Sequence, residues 1–141
     1  LGICPDGSGE GINIRYVECH SWQQLGLYKV IGETITKVGA IRIPPELLAQ
    51  GYDSFHSTEP FVFNGKSYLS TMIQKGTNAR DAQFWVLGVD FDTGTTDLQL
   101  KINTLPGSYD PEPFVRDDTV HIYYSVNSDV GTTIIRAETG L

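Results

Sequence analysis

The chain has 141 residues, 40% of them hydrophobic and 19% charged, with a formal net charge of −7. That length suits one domain able to bury about two thirds of its unfolded surface. The acids are scattered and no basic stripe exists, which argues against nucleic acid as a partner; no apolar run approaches the ~20 residues a membrane helix needs, so no membrane partner is expected.

The chain begins at Leu1 with neither Met nor a signal peptide, as expected of a processed mature protein or a piece of a longer one. Residues 1–11 hold four glycines, a proline and an aspartate and read as a loop. Ile12 to Cys19 alternates as a strand does, and Leu25 to Ile31 and Thr34 to Ile43 form a hairpin around Gly32-Glu33. Pro44 to Gly51 is the one helix-like stretch, with proline at its start and glycine at its end. Tyr52 to Thr58 reads as a polar loop. Phe61 to Phe63 and Tyr68 to Ile73 are then strands around Asn64-Gly65, a strong two-residue turn signal. Residues 74–81 read as a second polar loop. Gln83 to Phe91 is a long apolar strand, turned by Asp92-Thr93-Gly94 into Asp97 to Ile102. Beyond Pro106-Gly107 come Phe114 to Val115, Val120 to Val126 and Thr132 to Ala137. Ten strands result, in a single all-β domain spanning 1–141.

Glu59-Pro60-Phe61-Val62 recurs as Glu112-Pro113-Phe114-Val115. Both copies open a short strand, a tight polar turn and a longer aromatic strand. Self-similarity at this spacing marks a β-propeller or another array, and the four-strand meander after Glu59 matches a propeller blade. The approximate blades are 12–48, 52–105 and 106–141. The first lacks its opening strand and the last its outer strand, giving about two and a half blades. An unpaired outer edge invites another chain, and two such chains make five blades. A homodimer, or a second chain completing the ring, is therefore expected. The alternatives are a closed lipocalin-like barrel, binding a small apolar ligand, or a lectin-like sandwich.

Cys4 and Cys19 are the two cysteines. An even count in an acidic, aromatic-rich chain fits an extracellular or secreted protein with one disulfide; two unpaired cysteines are the other reading. His20, His56 and His121 match no metal-binding spacing, and His121 alternates within a strand, facing solvent or a neighbour. Gly7-Ser8-Gly9-Glu10-Gly11 leads into a strand and is no phosphate loop, and no nucleophile elbow is present. No metal and no cofactor are expected.

The run from Thr58 to Leu69, and Tyr109-Asp110-Pro111-Glu112-Pro113-Phe114, resemble the opening strands of blades in five-bladed propeller glycoside hydrolases of the arabinanase and xylosidase type. The resemblance covers about residues 52–137. It implies that opening strands converge on a central funnel and that carboxylates near their starts meet there. Glycoside hydrolysis needs two carboxyl groups, ~6.5–9.5 Å apart in inverting enzymes. By resemblance Glu59 is the general acid, Asp110 the base or an orienting carboxylate, and Glu112 a further candidate. Two departures stand out: the family's aspartates lie in earlier blades than its acid glutamate, and the first copy has Ser57 where the second has Asp110. A second function reading is a non-catalytic lectin-like module. Its ligand-binding candidates are Trp22, Tyr52, His56 and Tyr109, because exposed aromatics beside His, Asp and Asn suit sugar rings. Trp85, inside an apolar strand, reads as core. Either way the expected partner is carbohydrate.

Overall fold

The computed structural model describes residues 3–5, 14–18, 24–76 and 78–141, with the backbone alone for 3–5, 14–18, 29–30, 38 and 78–80. Eleven strands and one short helix follow in order: β1 Ile3–Pro5, β2 Ile14–Glu18, β3 Gln24–Ile31, β4 Thr34–Arg42, α1 Pro45–Leu48, β5 Ser54–Phe63, β6 Lys66–Lys75, β7 Asn78–Asp90, β8 Thr95–Ile102, β9 Ser108–Arg116, β10 Thr119–Ser128 and β11 Gly131–Glu138. They form three antiparallel meanders, β1-β2-β3-β4, β5-β6-β7-β8 and β9-β10-β11, here called the first, second and third sheets.

Several expectations are corrected. Residues 3–5, read as loop, pair with β2 and complete a fourth strand in the first sheet. The polar segment Ser54–Thr58 is strand, because it pairs with β6 from Ser54 opposite Gln74 onward. The stretch 74–81 is mostly strand as well, since β6 runs to Lys75 and β7 starts at Asn78. Three sheets are present rather than two and a half. Among the described residues no closed barrel forms: the strands divide into three separate sheets in succession, each keeping its own edges, which also exceeds the two layers of a sandwich.

The second sheet lies between the other two. Leu25, Leu27, Ile41 and Ile43 of the first sheet and its outgoing chain, with Leu47 of α1, pack on Phe55, Leu69, Ile73, Leu87 and Phe91. On the opposite face Phe61, Phe63, Met72, Phe84 and Val86 meet Val120, Ile122 and Tyr124 of the third sheet. A strand alternates its side chains between faces, so Phe55 and Phe61, six residues apart, ought to share a face. They do not, because β5 carries a bulge: His56 pairs with Met72 and Glu59 with Ser70, leaving β5 one residue longer than β6 over that interval. The extra residue reverses the alternation and lets one strand serve two cores. A second bulge on β8, between the pairs Val86–Leu100 and Leu87–Leu98, does the same for Leu98 and Leu100.

Register extends the repeat beyond the sequence match. β9 is bulged where β5 is, with Tyr123 opposite Glu112 and Ser125 opposite Tyr109. Ser57 in one bulge and Asp110 in the other both take positive φ, 45° and 60°. The two hairpin turns also agree: Asn64-Gly65 and Asp117-Asp118 all have φ between 50° and 72°, the left-handed pair that a type I′ turn requires. In the first sheet Cys4 stands opposite Val17 and Pro5 opposite Tyr16, while Val17 faces Leu27 on β3. Leu27 and Val86 are the matching rungs, since each is the last pair before a bulge in the outer strand. Cys4-Pro5 is therefore the backbone counterpart of Glu59-Pro60 and Glu112-Pro113.

Candidate functional site

The first strands of the three sheets lie side by side, β1 against β5 and β5 against β9. A direct tie runs from β6 to β9: Ser70 Oγ donates to the Pro111 carbonyl at 2.9 Å, and Ser70 is the register partner of Glu59 on β5. Glu59 shares the face of Ser70 and Met72, which is the face covered by the third sheet. It is aimed at β9, the strand that carries Asp110 and Glu112.

The three carboxylates consequently act on one another. Glu59 is half-buried, and its carboxyl is pushed up to about 7, chiefly by loss of hydration and then by the charges of Glu112 and Asp110. Glu112 is also raised, first by burial and then by Asp110. These are the two ways an environment favours a neutral acid: desolvation and like charge. Asp110 itself is exposed. Its left-handed backbone at the bulge sets it apart from the regular alternation of β9, and an aspartate tolerates that conformation better than most residues. Two carboxyls thus retain protons better than an ordinary glutamate does, beside a solvated acid. That arrangement suits proton donation to a substrate atom and activation of water on the same ligand.

The ligand candidates separate. His56 lies on the face of Glu59, opposite Met72, and its Nδ1 shares a 2.8 Å hydrogen bond with Ser57 Oγ. Tyr109 is half-buried against the core between second and third sheets, and its carbonyl accepts from Ser125 Oγ at 3.3 Å. Tyr52 packs against the other core instead, with Lys75 Nζ 4.8 Å from its ring centroid. Trp22 and Cys19 lie outside the described residues, as does the side chain of Cys4, so neither the expected sugar-stacking Trp22 nor the disulfide is placed. Trp85 packs on the first core, and its indole N–H donates to Gln83 Oε1 at 3.0 Å. His121 sits half-buried on the outer face of the third sheet, paired with Phe114.

Sequence reasoning missed the residues that hold the carboxylates in place. Ser70 ties β6 to β9, and the hydroxyls of Thr58 and Thr71 share a buried 2.8 Å hydrogen bond behind the bulge. The one available signal was the polar pair Ser70-Thr71 inside the apolar run Leu69 to Ile73. A recess of about 540 Å³ opens at the far ends of β6 and β7, lined by Tyr68, Asp90, Asp92 and Asp97 among others, and none of the three carboxylates borders it. Among the described residues no group of His, Cys, Asp and Glu is arranged to hold a metal ion. Compared with protein-family models, curated proteins and solved structures, the chain matches none.

Proposed function

We propose that the three sheets are successive blades of a propeller-type assembly and that Glu59, Asp110 and Glu112 form a carbohydrate-processing site where the opening strands meet. The observation that carries this reading is the approach of β5 to β9, which sets a desolvated Glu59 beside Glu112 and Asp110. The resemblance to propeller glycoside hydrolases supports it. Glu59, protonated up to about pH 7, gives its proton to the glycosidic oxygen as the C–O bond breaks. Asp110 takes a proton from the water that attacks the sugar carbon, with Glu112 orienting the ring or sharing that task. His56 and Tyr109 flank the acids as contacts for the sugar. An extracellular setting accords with this substrate.

A second reading, a binding module without turnover, is favoured by one observation: the first sheet carries Cys4 where the others carry Glu59 and Glu112. The two separate in one experiment. Arabino- and xylo-oligosaccharides are incubated with the wild-type chain and with Glu59→Gln, while binding is followed by calorimetry. An enzyme releases product, and the variant loses about 100-fold or more in rate while still binding. A binding module binds both ways and releases nothing. If no oligosaccharide binds, the carbohydrate reading fails.

A further inference from the structure

The outer face of the third sheet is the repeat of two faces that are covered elsewhere in the molecule. Three matching rungs show this. Leu25 pairs with Ile41, Phe84 with Met72 and Ile102, and Ile134 with Ser125, the counterpart of Met72. Leu25 and Phe84 are buried under the following sheet, at 0% and 2% exposure, whereas Ile134 is 65% exposed. Phe61 and Phe114 give the same contrast, 7% against 58%. Ile134 and Phe114 do point away from the second sheet. Val120, Ile122 and Tyr124 on the alternate positions of β10 fill that core, and Phe114 stands edge-on to the ring of Tyr123 at 5.3 Å.

The first sheet presents the opposite kind of face. Leu25 and Leu27 of β3 point to the second sheet, so Tyr28, and Ile35 at an even register step from it on β4, point away from it, and Ile35 is 61% exposed. Tyr28 matches Leu87, one of the residues by which the second sheet covers the first. Among the described residues, the first and third sheets therefore each leave one face uncovered, one placed as a cover and one shaped to be covered.

We infer that two copies of this chain associate head to tail, the third sheet of each covered by the first sheet of the other. This continues the packing already made twice inside the chain, and it does not depend on the carbohydrate reading. The contact joins two different faces, so it is heterologous and closes only if the rotation per sheet allows. Three sheets from each of two copies make six, within the four to eight of closed propellers. The sequence expectation of five blades from two chains is replaced by six.

The test is solution mass by light scattering on the wild-type chain, on Ile134→Arg and on Ile35→Arg. Both positions are exposed, so both variants keep the wild-type circular dichroism. The pair predicts twice 15.6 kDa, or 31.2 kDa, for the wild type and 15.6 kDa for each variant. Mixing the variants one to one leaves one face pair intact, Ile134 on one chain and Ile35 on the other, and restores a weaker 31.2 kDa species. A wild-type chain that stays at 15.6 kDa at ~100 μM overturns the proposal. So does a dimer dispersed by only one variant, because that contact would be one face against itself. A wild-type mass of 15.6 kDa overturns the proposal even if a variant folds poorly.

Discussion

The hairpins β5–β6 and β9–β10 share a backbone but not an environment. Each has a bulge with one positive-φ residue, a left-handed two-residue turn and a Glu-Pro-Phe-Val run. The first is packed on both faces, whereas the second is packed on one. Backbone plan is thus set locally, by bulge and turn, and the energetic weight of a residue by what stands opposite. Phe61 and Phe114 occupy the same position with opposite consequences.

The largest effect expected from that contrast is in the core. Phe61→Ala should cost about 3–5 kcal/mol, while Phe114→Ala, which loses little beyond its contact with Tyr123, should cost about 1 kcal/mol. Urea unfolding of the dispersed chain measures both; equal losses would mean the outer face is already covered. The turns come next. Asp118→Gly should stabilise the chain by on the order of 1 kcal/mol, because glycine adopts positive φ without the steric penalty of a side chain. Gly65→Asp should destabilise by a similar amount, and a null result in both would remove the likeness between the turns.

The acids sharpen the comparison through pH. Folded Glu59 holds its proton to about pH 7, whereas an unfolded glutamate releases it near ~4.3. The folded chain binds more protons between those values, so stability is fully present below the lower one and falls as pH rises through the upper. Glu112 adds to the slope with the same sign. Thermal melts across pH 4 to 8 should show this decline, and Glu59→Gln should flatten most of it. The smallest effect is expected from Ser57→Asp, which gives the first bulge the acid of the second. A new negative charge close to Glu59 should raise its titration midpoint further, as followed by carboxyl carbon resonances; an unchanged midpoint would show that position 57 does not face the acid.

Much of the arrangement was legible before the structure. Asn64-Gly65 and Asp92-Thr93-Gly94 announced their turns, and Asp90 Oδ1 does accept from the amides of Asp92 and Thr93, at 2.8 and 3.3 Å. Glu59, Asp110 and Glu112 were named from the resemblance to propeller glycoside hydrolases, and the structure sets them within electrostatic reach of one another. What stayed hidden shares one physical cause. A bulge interrupts the period-two pattern by which strands are read, so His56-Ser57-Thr58 looked like loop although β5 pairs with β6 before and after the bulge. The third copy was hidden differently: Cys4-Pro5 keeps only the proline of its motif, in a glycine-rich setting, and only register exposes the match.

That proline has a consequence for the inner edges. Pro5, Pro60 and Pro113 occupy the same rung in the first strand of each sheet, opposite Tyr16, Leu69 and Ile122. An opening strand lies at a sheet edge, where free amides would otherwise recruit a foreign strand. A proline has no amide hydrogen to offer. Three edges gathered side by side are thereby blunted at one level, and the polar character there passes from main chain to side chain. A ligand at the site proposed above would meet carboxyl, imidazole and phenol groups that substitution can alter, beside a backbone made poor as a template for aggregation.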